Sequence, residues 1–260
     1  MRPLFKIIKD FPWFLWSGWG SVASIFLFIA LWDFGNSIYG DLVLPSPLAV
    51  FGEIVNLFTQ ESFLNDLNLT VQRGFLGFGI SVVIGTLLGL IGGRFITASI
   101  MSRPIVTILV GIPPIAWIVL AMIWFGFGDT TVVFTVVIAS FPIIFVGALQ
   151  GSRTIEGDLL DMMDSFHIGF FQKLRDLYFP HLFSYVFPSW VSALGMSWKI
   201  VIMAELLSSN DGIGAALAVA RSQLETTTAL ALVSVMIGVL LFVEYIVLEP
   251  IKKEVESWRD

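Results

Sequence analysis

The sequence predicts an all-α membrane protein with about six transmembrane helices. Hydrophobic residues make up 57% of its 260 residues and charged residues only 13%, and the mean hydropathy is +0.89. A water-soluble domain of this length needs a more highly charged surface. The apolar residues are gathered in long runs that short polar segments separate, as is typical of a chain that crosses a bilayer several times.

Six apolar runs are long enough to cross a bilayer as helices. They cover residues 18–39, 70–93, 104–125, 131–150, 184–207 and 229–248. The first run is longer than the apolar core of a signal peptide, and no small-residue cleavage site follows it, so we expect a retained first span. Residues 1–260 then form a single transmembrane domain.

The positively charged residues alternate with the predicted spans. They precede span one, separate spans two and three, separate spans four and five, and follow span six: Arg2, Lys6, Lys9, Arg94, Arg103, Arg153, Lys173, Arg175, Lys252, Lys253 and Arg259. The opposite segments hold acidic residues, with Arg221 as the one clear cation: Asp41, Glu53, Glu61, Asp66, Asp129, Asp211 and Glu225. The positive-inside rule therefore predicts that both termini are cytoplasmic.

The segment 47–58 is too short to span a bilayer, but its apolar residues recur at helical spacing: Leu48, Phe51, Ile54, Val55 and Phe58. We expect a short amphipathic helix, which either lies against the outer membrane surface or packs as an ordinary connecting helix.

The longest predicted cytoplasmic segment contains a second amphipathic pattern, over residues 156–180. Its apolar residues step by three or four positions and form one stripe: Leu159, Met163, Phe166, Phe170, Leu174 and Leu177. Pro180 is expected to stop this helical pattern before the fifth span. A helical hairpin that a membrane bundle presents to the cytoplasm needs a partner on which its apolar stripe packs.

Residues 161–180 resemble, in degenerate form, the "EAA" loop of ABC importer permeases. Asp161 takes the glutamate position, and Met162 and Met163 take the two alanine positions. His167 takes the glycine position and Pro180 the proline position. The resemblance implies that this loop, with Phe166 on its apolar stripe, is a coupling helix that docks in a groove of an ATPase subunit.

Further motifs resemble the nitrate, sulfonate, taurine and bicarbonate branch of these permeases, in the order of that family. They are Leu-Pro-Ser-Pro at 44–47, Gly-Ile-Pro-Pro-Ile-Ala-Trp at 111–117, Trp-Phe-Gly-Phe-Gly at 124–128, Phe-Pro at 141–142, Ala-Glu-Leu at 204–206 and Gly-Ile-Gly at 212–214. The resemblance implies a type I ABC importer permease fold with a cytoplasmic coupling helix.

The coupling loop departs from the family pattern at its glycine and its alanines. The family's glycine ends a short helix in the left-handed conformation, which histidine also tolerates. Either His167 keeps this turn or Gly169 supplies it through a local shift. Because methionines make the docking helix bulkier, we hypothesise a dedicated ATPase whose groove differs in shape.

Prolines within spans mark a candidate transport path, because interrupted helices near the midplane often flank transport sites. Pro113 and Pro114 lie near the centre of the third span, and Pro142 lies near the centre of the fourth. Trp117 is one turn beyond Pro113 and shares its face. A simple packing kink is the alternative interpretation.

Charged residues within spans are the other candidates, because an unpaired charge at mid-bilayer is costly. Lys199 falls near the middle of span five and should face the bundle interior, either opposite an anionic substrate or paired with Asp33, Glu205 or Glu244. Glu205 is nearer the outer end, which favours a gating or structural role. Arg73, at the outer start of span two, is interpreted as an interfacial anchor, with a ligand role as the alternative.

Several functions have no supporting residues. The sequence lacks the GxxxxGK[ST] phosphate loop, so ATP and Mg are expected on a separate ATPase chain and no cofactor on this one. No enzyme motif is found, His167 and His181 are the only histidines, and neither a metal site nor nucleic-acid binding is expected.

The resemblance implies four kinds of partner: ABC ATPase subunits, a second permease copy that is identical or different, a periplasmic or lipid-anchored substrate-binding protein, and lipid of a bacterial inner membrane. It implies import of a small solute by alternating access, with nitrate, bicarbonate, sulfonates and vitamin precursors all open. An ion-gradient-driven secondary transporter is the alternative.

Overall fold

The computed structural model describes residues 23–155 and 157–244, and all regular structure in this part of the chain is helical. The helices are α1 (Ala23–Tyr39), α2 (Pro47–Leu57), α3 (Glu61–Arg94), α4 (Ile96–Gly111), α5 (Pro114–Phe125), α6 (Asp129–Arg153), α7 (Gly157–Ser165), α8 (Phe170–Lys173), α9 (Phe179–Ser208), α10 (Ile213–Gln223) and α11 (Thr226–Phe242). A π-helical segment, Leu174–Tyr178, joins α8 to α9. The predicted all-α fold is confirmed.

Three helices in the described ranges are long and apolar enough to cross a membrane: α3, α6 and the continuous helix Phe170–Ser208. The pair α4 and α5 makes a fourth span if the two are counted together, while α1 and α11 are shorter apolar helices. Each matches one of the six predicted runs. The count of six stays a prediction, because parts of the first and last runs, 18–22 and 245–248, lie outside the described residues.

Small residues bring the parallel helices α3 and α6 into close contact. A Cβ atom added to Gly77 would lie 2.7 Å from Val136 Cβ, and one added to Gly89 would lie 2.6 Å from the Phe145 carbonyl oxygen. Close backbone approach maximises dispersion contacts where lipid removes the usual hydrophobic driving force. Helix α6 then packs on α9, where the Ser140 and Ser197 hydroxyls lie 2.7 Å apart in the buried centre.

The predicted third span, 104–125, is interrupted at Pro113 and Pro114, as expected for prolines that interrupt a span. Helix α4 begins at Ile96 and ends at Gly111, and α5 begins at Pro114, with a bend of 93° between them. Pro113 is extended (ψ 141°) and Pro114 occupies the first turn of α5. Because neither proline has an N–H to donate, the two end one helix and start the next. Pro142, in contrast, lies within an unbroken α6.

Pro180 does not stop the helical pattern, contrary to the prediction. The helix runs without interruption from Phe170 to Ser208. The backbone N–H of Phe179 donates to the Leu174 carbonyl, five residues back, at the end of the π-helical segment. A π-bulge widens the backbone and absorbs the carbonyl that an interior proline cannot satisfy. Pro180 is therefore accommodated in the first turn of α9.

The short helix predicted over 47–58 is present as α2, and it packs on α11. Its Val50 and Leu57 are buried in a core cluster with Leu232 of α11, while Leu48 and Phe51 are exposed. The buried face of α2 agrees with the interpretation as a connecting helix. Its outward face is also apolar. Helix α10 has no counterpart among the sequence predictions, although Ile213 and Ala220 are buried at helical spacing.

Candidate functional site

Helix α7 and the residues that follow it form an exposed apolar surface, which we call the α7 surface. The end of the bundle on which it lies is the α7 end. Phe166, Phe170 and Phe171 are 74%, 69% and 83% exposed. Of the two methionines at the motif's alanine positions, Met162 is exposed and Met163 is partly buried. Asp161 is also exposed. An exposed cluster of large apolar side chains of this kind is typical of a protein-binding surface.

His167 supplies the left-handed residue that ends α7. Its φ is +54°, whereas Gly169 is extended with φ −63°. The N–H of Ile168 donates to the Met163 carbonyl and the N–H of His167 to the Asp164 carbonyl, both at 3.0 Å. These two bonds are the paired bonds of a Schellman motif. Of the two alternatives for this turn, His167 is confirmed and Gly169 is wrong.

Polar contacts hold the α7 turn against the spans. The Lys173 ammonium forms an ion pair with Asp164, which joins α8 to the end of α7. The Thr154 hydroxyl lies 3.2 Å from His181 Nε2, which joins the end of α6 to the start of α9 near Pro180. The predicted coupling residues are thus brought together in one segment that two long helices hold from both sides.

A buried ion-pair network lies at the opposite end. The Arg73 guanidinium donates to Glu205 Oε1 at 2.8 Å and to the Asp211 carbonyl at 2.8 Å. It also pairs with Asp129 at the start of α6. Arg73 is 6% exposed and Glu205 is fully buried. The expectation that Arg73 is an interfacial anchor is therefore wrong, because the side chain joins α3, α6 and α9 inside the bundle.

The Gly-Ile-Gly motif at 212–214 closes this network. The N–H of Gly214 donates to Glu205 Oε2 at 3.1 Å, and Thr70 Oγ1 donates to the same oxygen at 2.8 Å. Gly212 has φ +99°, and a Cβ atom there would lie 2.5 Å from Glu205 Oε1. Only glycine fits a positive φ beside a packed carboxylate without strain. Glu205 thus has a structural role, as one of the two sequence interpretations proposed.

The break between α4 and α5 exposes a helix N-terminus in the middle of the bundle. Ser102 and Val106 of α4 lie beside the second half of α6, and Ile118 of α5 packs on Val136 and Ile200. The break therefore falls near the level of Pro142. Trp117, in the first turns of α5, is 9% exposed, and its indole Nε1 has no hydrogen-bond partner among the described residues. A buried donor without an acceptor is rare in folded proteins.

Lys199 lies outside the interior of this chain. It is exposed, and it lines a crevice of about 230 Å³ between α9, α10 and α11 whose other lining residues are apolar, among them Ile202, Val233 and Ile237. Among the described residues its ammonium forms no ion pair with Asp33, Glu205 or Glu244, and Glu205 pairs with Arg73 instead. The expectations that Lys199 faces the interior and that it pairs with one of these carboxylates are both wrong.

Two features of the site were not predicted from the sequence. The Arg73–Asp129–Glu205 network joins positions in three spans, and no local pattern reports such a pairing. No local sequence pattern predicted the π-helical segment before Pro180. The close packing of α3 could have been predicted, because small residues recur every four positions at Gly77, Ser81 and Gly85.

Comparison with known proteins gives one family match. The family model described as "Binding-protein-dependent transport system inner membrane component" matches residues 81–250. This range includes α4 to α11 and therefore the α7 surface, Trp117, Lys199 and Glu205.

Three relatives show the same similarity over most of their length. The aliphatic sulfonates transport permease of Bacillus subtilis is 22% identical over 78% of this chain and 74% of its own. The nitrate import permease of Synechococcus elongatus is 23% identical over 74% of this chain and 73% of its own. The taurine transport system permease of Escherichia coli is 24% identical over 84% of this chain and 80% of its own.

Proposed function

Because the chain belongs to the family of binding-protein-dependent transport system inner membrane components, its function is that of a membrane-spanning ABC importer subunit, and we propose that its solute is a small anion. The sequence resemblance, the helical fold and the three permease relatives all point to this function. The chain itself is a non-enzymatic transport subunit.

The α7 surface is proposed to bind the ATPase subunit. Phe166 and Met162 are exposed on it, and Asp161 lies beside them. Because the Schellman cap at His167 and the Lys173–Asp164 pair fix its shape, a push on α7 is transmitted to α6 and α9 rather than absorbed by the loop. Met162 fills the place of a small residue, which favours a dedicated ATPase with a matching groove.

The transported solute is proposed to be anionic, and Lys199 is the observation that carries this proposal. Its ammonium is exposed in the second half of α9 and has no acidic partner in the described part of the chain, and an unpaired charge within an apolar span is costly. An anion passing between two permease copies would offset that cost. The unpartnered Trp117 indole N–H, near the α5 N-terminus beyond Pro113 and Pro114, is a further donor for such a solute. Relatives named for sulfonates, nitrate and taurine agree with this class.

The end that carries Arg73 and Asp129 is proposed to face outward and to receive the solute from a substrate-binding protein. The distribution of basic residues supports this orientation, with both termini in the cytoplasm of a bacterial cell. ATP binding and hydrolysis, with Mg, are assigned to the partner ATPase. The spans then alternate between outward-open and inward-open states, and a second permease copy completes the pathway.

Uptake into proteoliposomes tests the function. The full assembly, with its ATPase inside the vesicle and its binding protein outside, should accumulate a labelled anion only when ATP is enclosed. Vesicles that contain a non-hydrolysable ATP analogue serve as the control. Uptake that follows a proton or sodium gradient in the absence of ATP would contradict the proposal and favour a secondary transporter.

A further inference from the structure

A cavity of about 530 Å³, lined by both polar and apolar side chains, lies between α4 and α6 at the α7 end. Its eleven lining residues include two arginines, Arg103 and Arg153, and no acidic residue. The polar side chains that accompany the arginines are those of Ser99, Ser102, Thr107, Gln150 and Thr154. The function proposed above uses none of these residues.

The two arginines carry charge that the described residues do not neutralise. The Arg153 guanidinium donates to Ser99 Oγ at 2.8 Å, which is a neutral partner. Arg103 forms no ion pair within residues 23–155 and 157–244. Arg73, at the other end of the bundle, has two carboxylates. A cavity with two guanidinium groups, several hydroxyls and no carboxylate is suited to an oxyanion.

We propose that this cavity binds the phosphate group of an anionic phospholipid, with Arg103 and Arg153 on either side of it. Guanidinium groups recognise phosphate through charge-assisted and often bidentate hydrogen bonds. Basic pockets between membrane helices at the cytoplasmic side are suited to anionic headgroups. Ser99 also belongs to the first turns of α4, where the helix dipole favours negative charge.

The surroundings of the cavity favour a lipid over a soluble ion. Its apolar lining comes from Val106, Phe145, Val146 and Leu149. Beside its mouth, α4 exposes a series of large apolar side chains: Ile100, Met101, Ile105 and Ile108. A water-filled passage is poorly lined by such residues, whereas acyl chains pack on them. The headgroup thus meets the arginines while its tails cover the outer face of α4.

The position of the cavity gives the lipid a structural consequence. Arg153 is the last residue of α6, and α7 begins at Gly157. Thr154 contacts His181 at the start of α9. A bound phosphate therefore holds the ends of α4 and α6 where the α7 segment leaves the bundle, and it should stabilise that arrangement. This inference does not rest on the proposed transport function.

Native mass spectrometry of the full assembly tests the proposal. Purified protein is incubated with phosphatidylglycerol, with phosphatidylethanolamine, or with inorganic phosphate, and bound adducts are counted. The test variant is Arg103→Gln/Arg153→Gln, and Arg103→Lys/Arg153→Lys keeps the charge. Arg94→Gln is the matched control, because Arg94 is an exposed arginine at the same end that does not line the cavity.

The native chain should retain one phosphatidylglycerol per permease chain more firmly than phosphatidylethanolamine. The Gln/Gln variant should bind it about tenfold more weakly, while the Arg94 variant should match the native chain. If the Gln/Gln variant does not fold, weaker retention in the Lys/Lys variant, which loses bidentate contacts, supports the proposal. Equal lipid retention in native and variant chains would overturn it, as would displacement of the lipid by millimolar phosphate, which would indicate a soluble oxyanion as the ligand.

Discussion

Arg73 and Glu205 lie 132 positions apart in the chain, and their side chains meet at 2.8 Å inside the bundle. Glu205 is fully buried, and Thr70 and Gly214 complete its hydrogen bonds. Because the same guanidinium also binds Asp129 and the Asp211 carbonyl, one residue joins three long helices and the loop that precedes α10. This network defines the relative positions of α3, α6 and α9 at the end opposite to α7.

Removal of one member of the buried pair should destabilise the protein strongly. Arg73→Met leaves the Glu205 carboxylate buried without a counter-charge, which costs about 3–5 kcal/mol. Thermal unfolding in detergent should show a clear loss for Arg73→Met and a smaller loss for Arg73→Met/Glu205→Met. Asp129→Asn is the control, since the Asp129 side chain is 73% exposed and its pair should contribute about 1 kcal/mol or less. A native-like transition for Arg73→Met would contradict the structural role.

Gly212→Ala should disrupt the same network through the backbone. Gly212 has φ +99°, and an added Cβ would lie 2.5 Å from Glu205 Oε1, so either the loop or the carboxylate must move. Gly169→Ala is matched to it, because Gly169 has φ −63° and no atom within 4 Å of an added Cβ. We expect a lowered unfolding temperature for Gly212→Ala alone. Equal stability of the two variants would show that the loop has room to relax.

His167 should tolerate glycine and reject β-branched residues. At φ +54°, His167→Gly relieves the cost of a left-handed side chain, whereas His167→Val adds about 1–2 kcal/mol or more. Limited proteolysis of the purified protein should cut the α7 turn faster in the valine variant and no faster in the glycine variant. Equal cleavage of the two would mean that the turn conformation does not determine the order of the segment.

Lys199→Met should weaken uptake of an anion and leave the folded assembly intact, because the ammonium is exposed and forms no ion pair in the described residues. Lys199→Arg, which keeps the charge, should retain most of the uptake. Trp117→Phe, like Lys199→Met, should weaken uptake and leave the protein folded, since the indole N–H has no partner in the described residues whose loss would destabilise the protein. Unchanged uptake in Lys199→Met, or loss of the folded protein, would remove Lys199 from the pathway.

The features that the sequence predicted correctly are those that short-range patterns encode. Apolar run length gives the long helices, and the Leu159 to Phe166 spacing gives an exposed amphipathic segment. The choice of His167 over Gly169 depended on how the local chain satisfies its carbonyls, which the spacing of residues leaves open. The interruption expected at Pro113 is present, whereas the stop expected at Pro180 is wrong, because the π-helical segment before it accommodates the proline within a continuous helix.

Long-range pairing accounts for the remaining errors. Lys199, Glu205 and Arg73 were recognised as charges within or beside spans, where each needs a partner. Which carboxylate pairs with which cation depends on helix packing, and that packing depends on glycines of α3 that approach α6. Glu205 is closer in sequence to Lys199 than to Arg73, yet it faces Arg73.

Cysteine labelling tests whether the α7 surface faces the ATPase inside the cell. The native sequence contains no cysteine, so Phe166→Cys and Asp129→Cys each introduce a single reactive thiol at opposite ends of the bundle. In intact cells, a membrane-impermeant maleimide should modify the Asp129→Cys protein and spare the Phe166→Cys protein, which should instead crosslink to the ATPase subunit. Modification of the Phe166→Cys protein from outside intact cells would show that the α7 surface faces the exterior and does not bind the ATPase.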